Sequence, residues 1–203
     1  MLPDLSGVET ATLGRVLREG FMAPSIQSLF PGHRIFGPAL TVRLPGPDGS
    51  ALIEALSVAV PGEVIVIDRC GDLRHACFGA VTGHAARARG VAGVVIDGFV
   101  TDRAALEALG LPVWCRGRSP LTTRIRNLAG EIGGLISCGG TKVSRGDIIL
   151  ADENGVVVLD PAEAARHAAT ALRLQQEEAE IIRRLGKGET LAALTASLAG
   201  VSK

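Results

Sequence analysis

The stretch from Gly79 to Asp102, GAVTGHAARARGVAGVVIDGFVTD, constrains the fold of this chain more than any other part. Residues 79–89 are rich in alanine and glycine and favour a helix packed closely on a sheet, and Gly90 is expected to end that helix. The apolar run Val91–Ile96 is partly β-branched, which predicts a strand buried on both faces of a parallel sheet. Asp97–Gly98 is expected to end this strand.

A second helix is predicted to begin near Thr101 or Asp102 and to end at Gly110. In open α/β sheets, ligands bind beyond the carboxyl ends of the strands, where the N-terminus of a helix presents free N–H groups that attract anions. Gly79 to Thr82 and Thr101 to Asp102 are both expected to be such N-termini. We therefore expect the two turns to face each other and to hold an anionic ligand bridged to a cation on Asp102.

The preceding and following segments continue the alternation of strands and helices. The predicted strands are 36–44, 63–68 and 111–115. A helix capped by Ser50 is predicted between the first two strands, residues 69–78 are predicted to form a loop, and residues 8–20 a short helix. This alternation favours the α/β class, with parallel strands joined by right-handed crossovers.

The C-terminal part has a different pattern. Two apolar runs, Ile148–Leu150 and Val156–Leu159, surround the turn sequence ADENG and predict an antiparallel hairpin. Asp160 and Pro161 are typical of the start of a helix, which is predicted to run from about residue 161 to 185. Its predicted apolar stripe consists of Ala165, Ala169, Leu172, Ala179, Ile182 and Leu185. Its charged residues, Glu177, Glu178 and Glu180 among them, form either a solvated face or a contact with a neighbouring subunit.

The totals favour a single domain covering residues 1–203, since a chain of this length with 47% hydrophobic residues can bury one substantial core. Lysine plus arginine equals aspartate plus glutamate at 21 each, which argues against nucleic acid or an anionic membrane as a partner. No apolar run approaches the roughly 20 residues that a membrane span needs. A soluble cytoplasmic protein is expected.

The cysteines and histidines do not form a recognisable metal motif. The four cysteines contain no C-x-x-C pair and are expected to be reduced and buried, and no H-E-x-x-H is present. His75 and His84 flank the first helix of the opening stretch and are candidates to line a cleft, although a hydrogen-bonded or solvated histidine is the commoner outcome. The sequence also lacks a P-loop, a G-x-G-x-x-G after a strand and a G-x-S-x-G, which argues against nucleotide binding and serine hydrolysis.

Asp102 is the remaining candidate for chemistry, and two interpretations of it stay open. Aspartate is a frequent N-cap, so Asp102 is expected to serve either as a local cap of the helix that ends at Gly110 or as a ligand for a metal ion.

Several motifs resemble one known family over most of the chain. They are FGPALTV, PGEVIVID, FGAVTGHAARAR, GVAGVVIDGFVTD, LPVWCRG and RGDIILADENGVVVLDP. This set is similar to the RraA-like family, which contains regulator of ribonuclease activity A and the 4-hydroxy-4-methyl-2-oxoglutarate aldolases, many of them once labelled demethylmenaquinone methyltransferases. The resemblance implies a swivelling β/β/α fold, assembled as trimers or hexamers with sites at subunit contacts.

The resemblance also implies roles for particular residues. Gly79, Ala80, Val81 and Thr82 match the turn whose N–H groups bind the carboxylate of pyruvate. Asp102 matches the residue that anchors a magnesium or manganese ion, largely through water, as expected for a hard cation held by one carboxylate.

The chain departs from the family pattern at two positions. Thr101 stands where the aldolases have an arginine, and Ala80 stands where an acidic residue is often found. Arg103 and Arg118 are the candidates to replace the missing positive charge. Removing one such donor typically costs about 2.7–4 kcal/mol of transition-state stabilisation.

The leading hypothesis is a divalent-metal-dependent lyase acting on a small α-keto acid, with Asp102, Thr101 and Arg103 as catalytic residues. It would cleave substrates of the 4-hydroxy-4-methyl-2-oxoglutarate type or decarboxylate oxaloacetate, releasing pyruvate. One alternative is a non-catalytic partner of a ribonuclease, and another is a related lyase or isomerase that uses Thr101 on a sugar-derived acid.

Overall fold

The fold is α/β, and the computed structural model describes residues 4–195. The helices are α1 Thr10–Leu13, α2 Ser50–Val58, α3 Ala80–Ala88, α4 Arg103–Leu109 and α5 Pro161–Leu185. The strands are β1 Gln27–Ser28, β2 Ile35–Arg43, β3 Val64–Asp68, β4 Ala76–Phe78, β5 Gly93–Val100, β6 Val113–Arg118, β7 Glu131–Ile132, β8 Ile136–Cys138, β9 Thr141–Val143, β10 Ile148–Asp152 and β11 Gly155–Leu159.

In the described part of the chain, nine strands form one sheet in the order β1-β6-β5-β3-β2-β10-β11, with β4 paired to β5 and β7 to β2. The pairs β2–β3, β3–β5 and β5–β6 are parallel, as the alternation of helices and strands predicted. β10 pairs antiparallel with β11 and β2, and the turn between β10 and β11 lies where the ADENG sequence predicted it.

The two faces of the sheet are covered by different elements. In β3, Ile65 and Ile67 pack with the buried residues of α2, α3 and α4, whereas Val64 and Val66 pack with those of the β8–β9 hairpin. This alternation follows from the two-residue period of a strand, and burial on both faces accounts for its continuous apolar sequence. A third cluster lies under α1 and α5.

Two predictions about the central strands are wrong. β5 does not end at Asp97–Gly98 but continues to Val100, with an irregular register against β6 between Ile96 and Phe99. Gly98 is needed there for close packing, because a Cβ atom at this position would lie 2.5 Å from Cγ of the buried Arg69. The segment predicted as a loop also contains the short strand β4, which pairs with β5 beyond that irregularity.

The predicted helix 8–20 is limited to α1, with turns after Leu13. Ser50 is not the cap of α2 but its first residue, and the carboxylate of Asp48 accepts hydrogen bonds from it. The bounds of α5 and its cap are confirmed, since Asp160 accepts from the N–H of Ala162 at 2.8 Å.

The predicted apolar stripe of α5 is wrong. The buried residues are Ala164, Ala168 and Ala171, one position from the predicted ones, because these small side chains allow the helix to pack closely on β10 and β11. Leu172, Ile182 and Leu185 are exposed instead. The acidic residues of the helix pair within the chain: Glu177 with Arg173, Glu178 with Arg15, and Glu180 with Arg183.

Among the helices within residues 4–195, none combines the length and the hydropathy that crossing a bilayer requires.

Candidate functional site

The N-terminus of α3 follows directly on β4, beside the end of β5. The N–H of Gly79 donates to the hydroxyl oxygen of Thr82 at 2.9 Å, and the N–H of Ala80 donates to Oδ2 of Asp102 at 3.0 Å. The N–H groups of Val81 and Thr82 have no acceptor within residues 4–195. Two backbone donors in the first turn of this helix are therefore free to bind an anion.

Asp102 occupies the N-cap position of α4 in a left-handed conformation, with φ 52° and ψ 43°. The predicted N-cap position is confirmed, but the carboxylate makes no hydrogen bond to the N–H groups of α4, so the side chain does not cap this helix. The carboxylate extends to α3, where it accepts from Ala80, and its Oδ1 lies 3.4 Å from the hydroxyl of Thr101. The two turns thus face each other, as the sequence predicted.

The approach of these turns depends on the absence of a side chain at Gly79. A Cβ atom there would lie 2.6 Å from Oδ2 of Asp102 and 2.6 Å from Cγ2 of Thr101. Atoms at that separation would overlap, so with any other residue the side chains of Asp102 and Thr101 would have to leave these positions or the turns would separate.

A cavity of about 310 Å³ lies between the turns. The six substrate-binding and metal-binding residues predicted from the sequence all line it: Gly79, Ala80, Val81, Thr82, Thr101 and Asp102. Leu52 and Ile53 of α2 add an apolar wall, and residues 122–125 add a polar one. Sequence reasoning brought the first set together correctly but missed both walls.

The polar wall belongs to the connection between β6 and β7. It includes Thr122, Thr123 and Arg124, and the guanidinium of Arg124 has no hydrogen-bond or ion-pair partner within residues 4–195. One sequence signal could have found this wall: the TTRIR run follows the end of the next parallel strand, where ligand-binding loops gather.

The two arginines proposed from the sequence are not among the lining residues. Arg103 pairs with Glu107 at 2.9 Å, and its guanidinium carbon lies 5.3 Å from the ring centroid of Phe30. Arg118 ends β6, where it is exposed and paired in register with Val100. A catalytic role for Arg103 stays a prediction, and the contacts of its side chain direct it to other partners.

The thiols and imidazoles near the cavity have structural surroundings. Cys77 lines the cavity wall, and burial raises the pKa of its thiol to about 11, so it is protonated at neutral pH. All four cysteines are free, but Cys70 is exposed, which corrects the expectation that all four are buried. Nδ1 of His75 lies 2.8 Å from Asp72, His84 is exposed on α3, and neither lines the cavity.

The donors at the cavity suit a hard cation better than a soft one. In the described residues, no group of three or more His, Cys, Asp or Glu side chains is arranged to hold a metal ion, which gives no support to a zinc site. Asp102 is exposed, and among the described residues its Oδ1 has only the long contact with Thr101. One carboxylate beside hydroxyls and water is the kind of oxygen-rich set by which magnesium and manganese are held.

Comparison with known proteins gives the family. The Aldolase/RraA model of the RraA-like family matches residues 9–158. The chain belongs to the RraA-like family. A relative from Halalkalibacterium halodurans, named as a candidate 4-hydroxy-4-methyl-2-oxoglutarate aldolase, is 34% identical over 157 residues, which cover 77% of this chain and 74% of the relative.

Two solved structures are similar over nearly the whole length of this RraA-like chain. An uncharacterised protein from Pseudomonas syringae has a TM-score of 0.82 at 26% identity, covering 95% of this chain and 91% of the other. Streptomyces coelicolor RraAS2, described as an unusual member of the RNase ES inhibitor RraA protein family, has a TM-score of 0.77 at 27% identity, covering 90% and 98%. The predicted RraA-like fold, with its long C-terminal helix, is confirmed.

Proposed function

We propose that the protein is a divalent-metal-dependent carbon–carbon lyase that acts on a small α-keto acid and releases pyruvate. The observation that carries this proposal is the orientation of Asp102, whose carboxylate extends to the opposing turn and lines the cavity rather than capping its own helix. The name of the Halalkalibacterium halodurans relative supports a carbon–carbon lyase of the aldolase type.

The first turn of α3 binds the carboxylate of the keto acid. Within residues 4–195 the N–H groups of Val81 and Thr82 have no acceptor, whereas those of Gly79 and Ala80 do. The partial positive charge at a helix N-terminus adds to the attraction. The carboxylate-binding set is therefore Val81 and Thr82, with Gly79 and Ala80 shaping the turn.

Asp102 would hold the cation, magnesium or manganese, beside that turn. When bound, the cation supplies Lewis-acid stabilisation of the negative charge that develops on the keto oxygen. The hydroxyl of Thr101, next to Asp102, is a donor for the substrate or for a coordinated water.

Arg124 supplies the positive charge that Thr101 does not. Arg124 is one of the residues that line the same cavity, and its guanidinium has no partner within residues 4–195. A guanidinium binds carboxylates through paired hydrogen bonds, so Arg124 suits the distal carboxylate of a substrate such as oxaloacetate or 4-hydroxy-4-methyl-2-oxoglutarate.

The test is an assay of pyruvate release from oxaloacetate and from 4-hydroxy-4-methyl-2-oxoglutarate, with magnesium or manganese and with a chelator. We expect release from at least one substrate, and we expect the chelator to abolish it and added metal to restore it. Release that is absent with both substrates and both metals would contradict the proposal. We also expect the protein to be cytoplasmic. We expect it to form a homotrimer or hexamer, and sedimentation equilibrium would measure the number of subunits.

The second candidate function is a non-catalytic regulator of a ribonuclease. The replacement of the family arginine by Thr101 and the likeness to RraAS2 favour it. A ribonuclease that is inhibited by the purified protein, with no pyruvate released in the assay above, would support this function. Full ribonuclease activity in an excess of the protein would count against it.

A further inference from the structure

Asp48 is a buried carboxylate outside the residues assigned above, with 1% of its surface exposed. Its Oδ1 accepts from the N–H of Ser50 at 3.0 Å, from the hydroxyl of Ser50 at 2.6 Å and from the N–H of Arg126 at 3.1 Å. Its Oδ2 accepts from the N–H of Leu128 at 2.6 Å. The bonds from the Ser50 hydroxyl and the Leu128 N–H hold the pKa of this carboxyl well below its usual range, so it is ionised at neutral pH.

Two of these donors belong to the segment 122–128, which carries the polar wall of the cavity. The backbone of Arg124 is paired with the residues on either side of Asp48. Its N–H donates to the carbonyl of Pro47 and its carbonyl accepts from the N–H of Gly49, both at 2.9 Å. The hydroxyl oxygen of Ser50 also accepts from the N–H of Asn127 at 2.9 Å. Residues 47–50 therefore bind this segment by backbone groups from Arg124 to Leu128.

Apolar burial does not hold the segment in position. Ile125 and Leu128 are each 68% exposed, so their side chains contribute little hydrophobic stabilisation. The segment is also attached at its start, where the N–H of Thr123 donates to the carbonyl of Ala76 at 3.0 Å. Hydrogen bonds to an ionised acceptor are roughly twice as strong as neutral ones, so Asp48 is a strong attachment for the part of the segment from Arg126 to Leu128.

Asp48 also joins the two walls of the cavity. The connection 47–50 leads directly into α2, whose Leu52 and Ile53 form the apolar wall. A Cβ atom at Gly49 would lie 2.9 Å from the hydroxyl oxygen of Thr123, which shows how closely the polar wall packs on this connection.

We propose that Asp48 is a positioning residue for the candidate site, because its carboxylate fixes the segment 122–128 on the start of α2 and thereby holds Arg124 at the cavity. Asp48 does not line the cavity and acts only through the segment. This inference rests on the proposed lyase function and adds to it a residue that determines substrate affinity.

The test compares Asp48→Asn with a matched control, Asp152→Asn. Asparagine has one acceptor oxygen in place of two, so the variant loses either the bond from Leu128 or those from Ser50 and Arg126. Asp152 is also a buried carboxylate, 6% exposed, and accepts from Thr10 and Asn154 away from the cavity. The two variants should have similar losses of thermal stability. A difference in substrate affinity between them would therefore come from the position of the segment 122–128 and not from lost stability.

We expect Asp48→Asn to raise the KM for the keto acid about 10-fold while kcat changes less than about 3-fold, since the segment contributes to binding before and during the reaction. Asp152→Asn should leave KM unchanged. Amide hydrogen exchange at Arg126 and Leu128, and tryptic cleavage after Arg124 and Arg126, should both become faster in Asp48→Asn and not in the control. Ser50→Ala, which keeps the carboxylate, should show a smaller change in the same direction.

The outcomes separate this inference from the proposed function. Unchanged exchange at Arg126 and Leu128 in Asp48→Asn, or faster exchange with an unchanged KM, would overturn the positioning role while the lyase activity stands. A wild-type protein that releases no pyruvate would overturn the proposed function and, with it, the role of Asp48 in substrate affinity. Exchange would then decide only whether Asp48 fixes the segment.

Discussion

Two aspartates at the ends of strands have opposite environments, one after β5 and one at the end of β10. At the antiparallel edge, Asp152 is buried and its carboxylate accepts from the N–H and the hydroxyl of Thr10 and from the N–H of Asn154. At the carboxyl end of β5, Asp102 is exposed and accepts one short hydrogen bond, from Ala80. The first carboxylate is fully used by the fold, whereas the second keeps acceptor capacity for a ligand.

The difference extends to the surrounding backbone. Near Asp152, the indole N–H of Trp114 donates to the Asp152 carbonyl at 2.9 Å, so that edge is closed by internal hydrogen bonds. Near Asp102, the N–H groups of Val81 and Thr82 stay free within the described residues. Groups without internal partners contribute little to folding and are available for binding, so the two edges should respond differently to substitution.

The largest expected effect is that of Asp102→Asn on catalysis. Asparagine tolerates the left-handed conformation and can still accept from Ala80, but it lacks the charge that holds a cation. We expect a loss of about 1,000-fold in metal-dependent pyruvate release, comparable with the loss of a major electrostatic group. The free energy of unfolding, measured with urea, should change by less than about 0.5 kcal/mol, as for an ordinary surface substitution. A rate close to that of the wild type would remove the proposed role of Asp102.

Asp152→Ala should give the reverse result. The substitution leaves the two buried donors of Thr10, its N–H and its hydroxyl, without their acceptor, together with the N–H of the exposed Asn154, and we expect a loss of about 2–4 kcal/mol in the free energy of unfolding. Urea denaturation followed by circular dichroism measures this loss, and pyruvate release below the unfolding transition should be unchanged. If this variant lost activity without losing stability, the contrast between the edges would be wrong.

Gly79→Ala tests the close approach of the two turns. The added methyl group would overlap Oδ2 of Asp102 and Cγ2 of Thr101, so either these side chains leave their positions at the cavity or the turns separate. A displacement of about 1 Å from the productive geometry can reduce the rate about 100-fold, and we expect a loss of that size in kcat/KM. Gly7→Ala is the control, because a Cβ atom there would only touch Leu172 at 3.4 Å and lies elsewhere in the fold. Equal activities of the two variants would show that the separation of the turns does not matter.

The smallest expected effects distinguish two arginines. Arg124→Ala should raise the KM for a dicarboxylic keto acid about 10-fold, since it removes a charged hydrogen-bond donor from the cavity wall. Arg103→Ala should leave the kinetic constants within about 2-fold and lower the free energy of unfolding by less than about 1 kcal/mol, because its ion pair with Glu107 is exposed. The opposite ranking in steady-state kinetics would restore Arg103 as the catalytic arginine.

Local sequence signals predicted the elements that meet at the cavity. Gly79 and Gly110 bound helices whose positions agree with the structure, and the β-branched runs of β3 and β5 located two adjacent parallel strands. The position of the six predicted residues that line the cavity followed from these elements, since the carboxyl ends of parallel strands meet at one edge of a sheet.

Long-range contacts explain what the sequence did not predict. β5 passes through Asp97–Gly98 because Arg69, distant along the chain, packs against the glycine. The buried face of α5 is set by the closeness that Ala164 and Ala168 allow, which an amphipathic pattern alone does not reveal. The polar wall depends on Asp48, about 80 residues before Leu128, and a hydrogen bond across such a separation leaves no periodic signal in the sequence.

The bond between Asp102 and Ala80 has a thermodynamic consequence for any ligand. It joins the N-termini of two helices that also pack against each other, so the carboxylate is oriented during folding and not at the moment of association. The conformational entropy of this side chain is therefore lost once, when the chain acquires its native structure, and a ligand gains affinity because that loss no longer accompanies association.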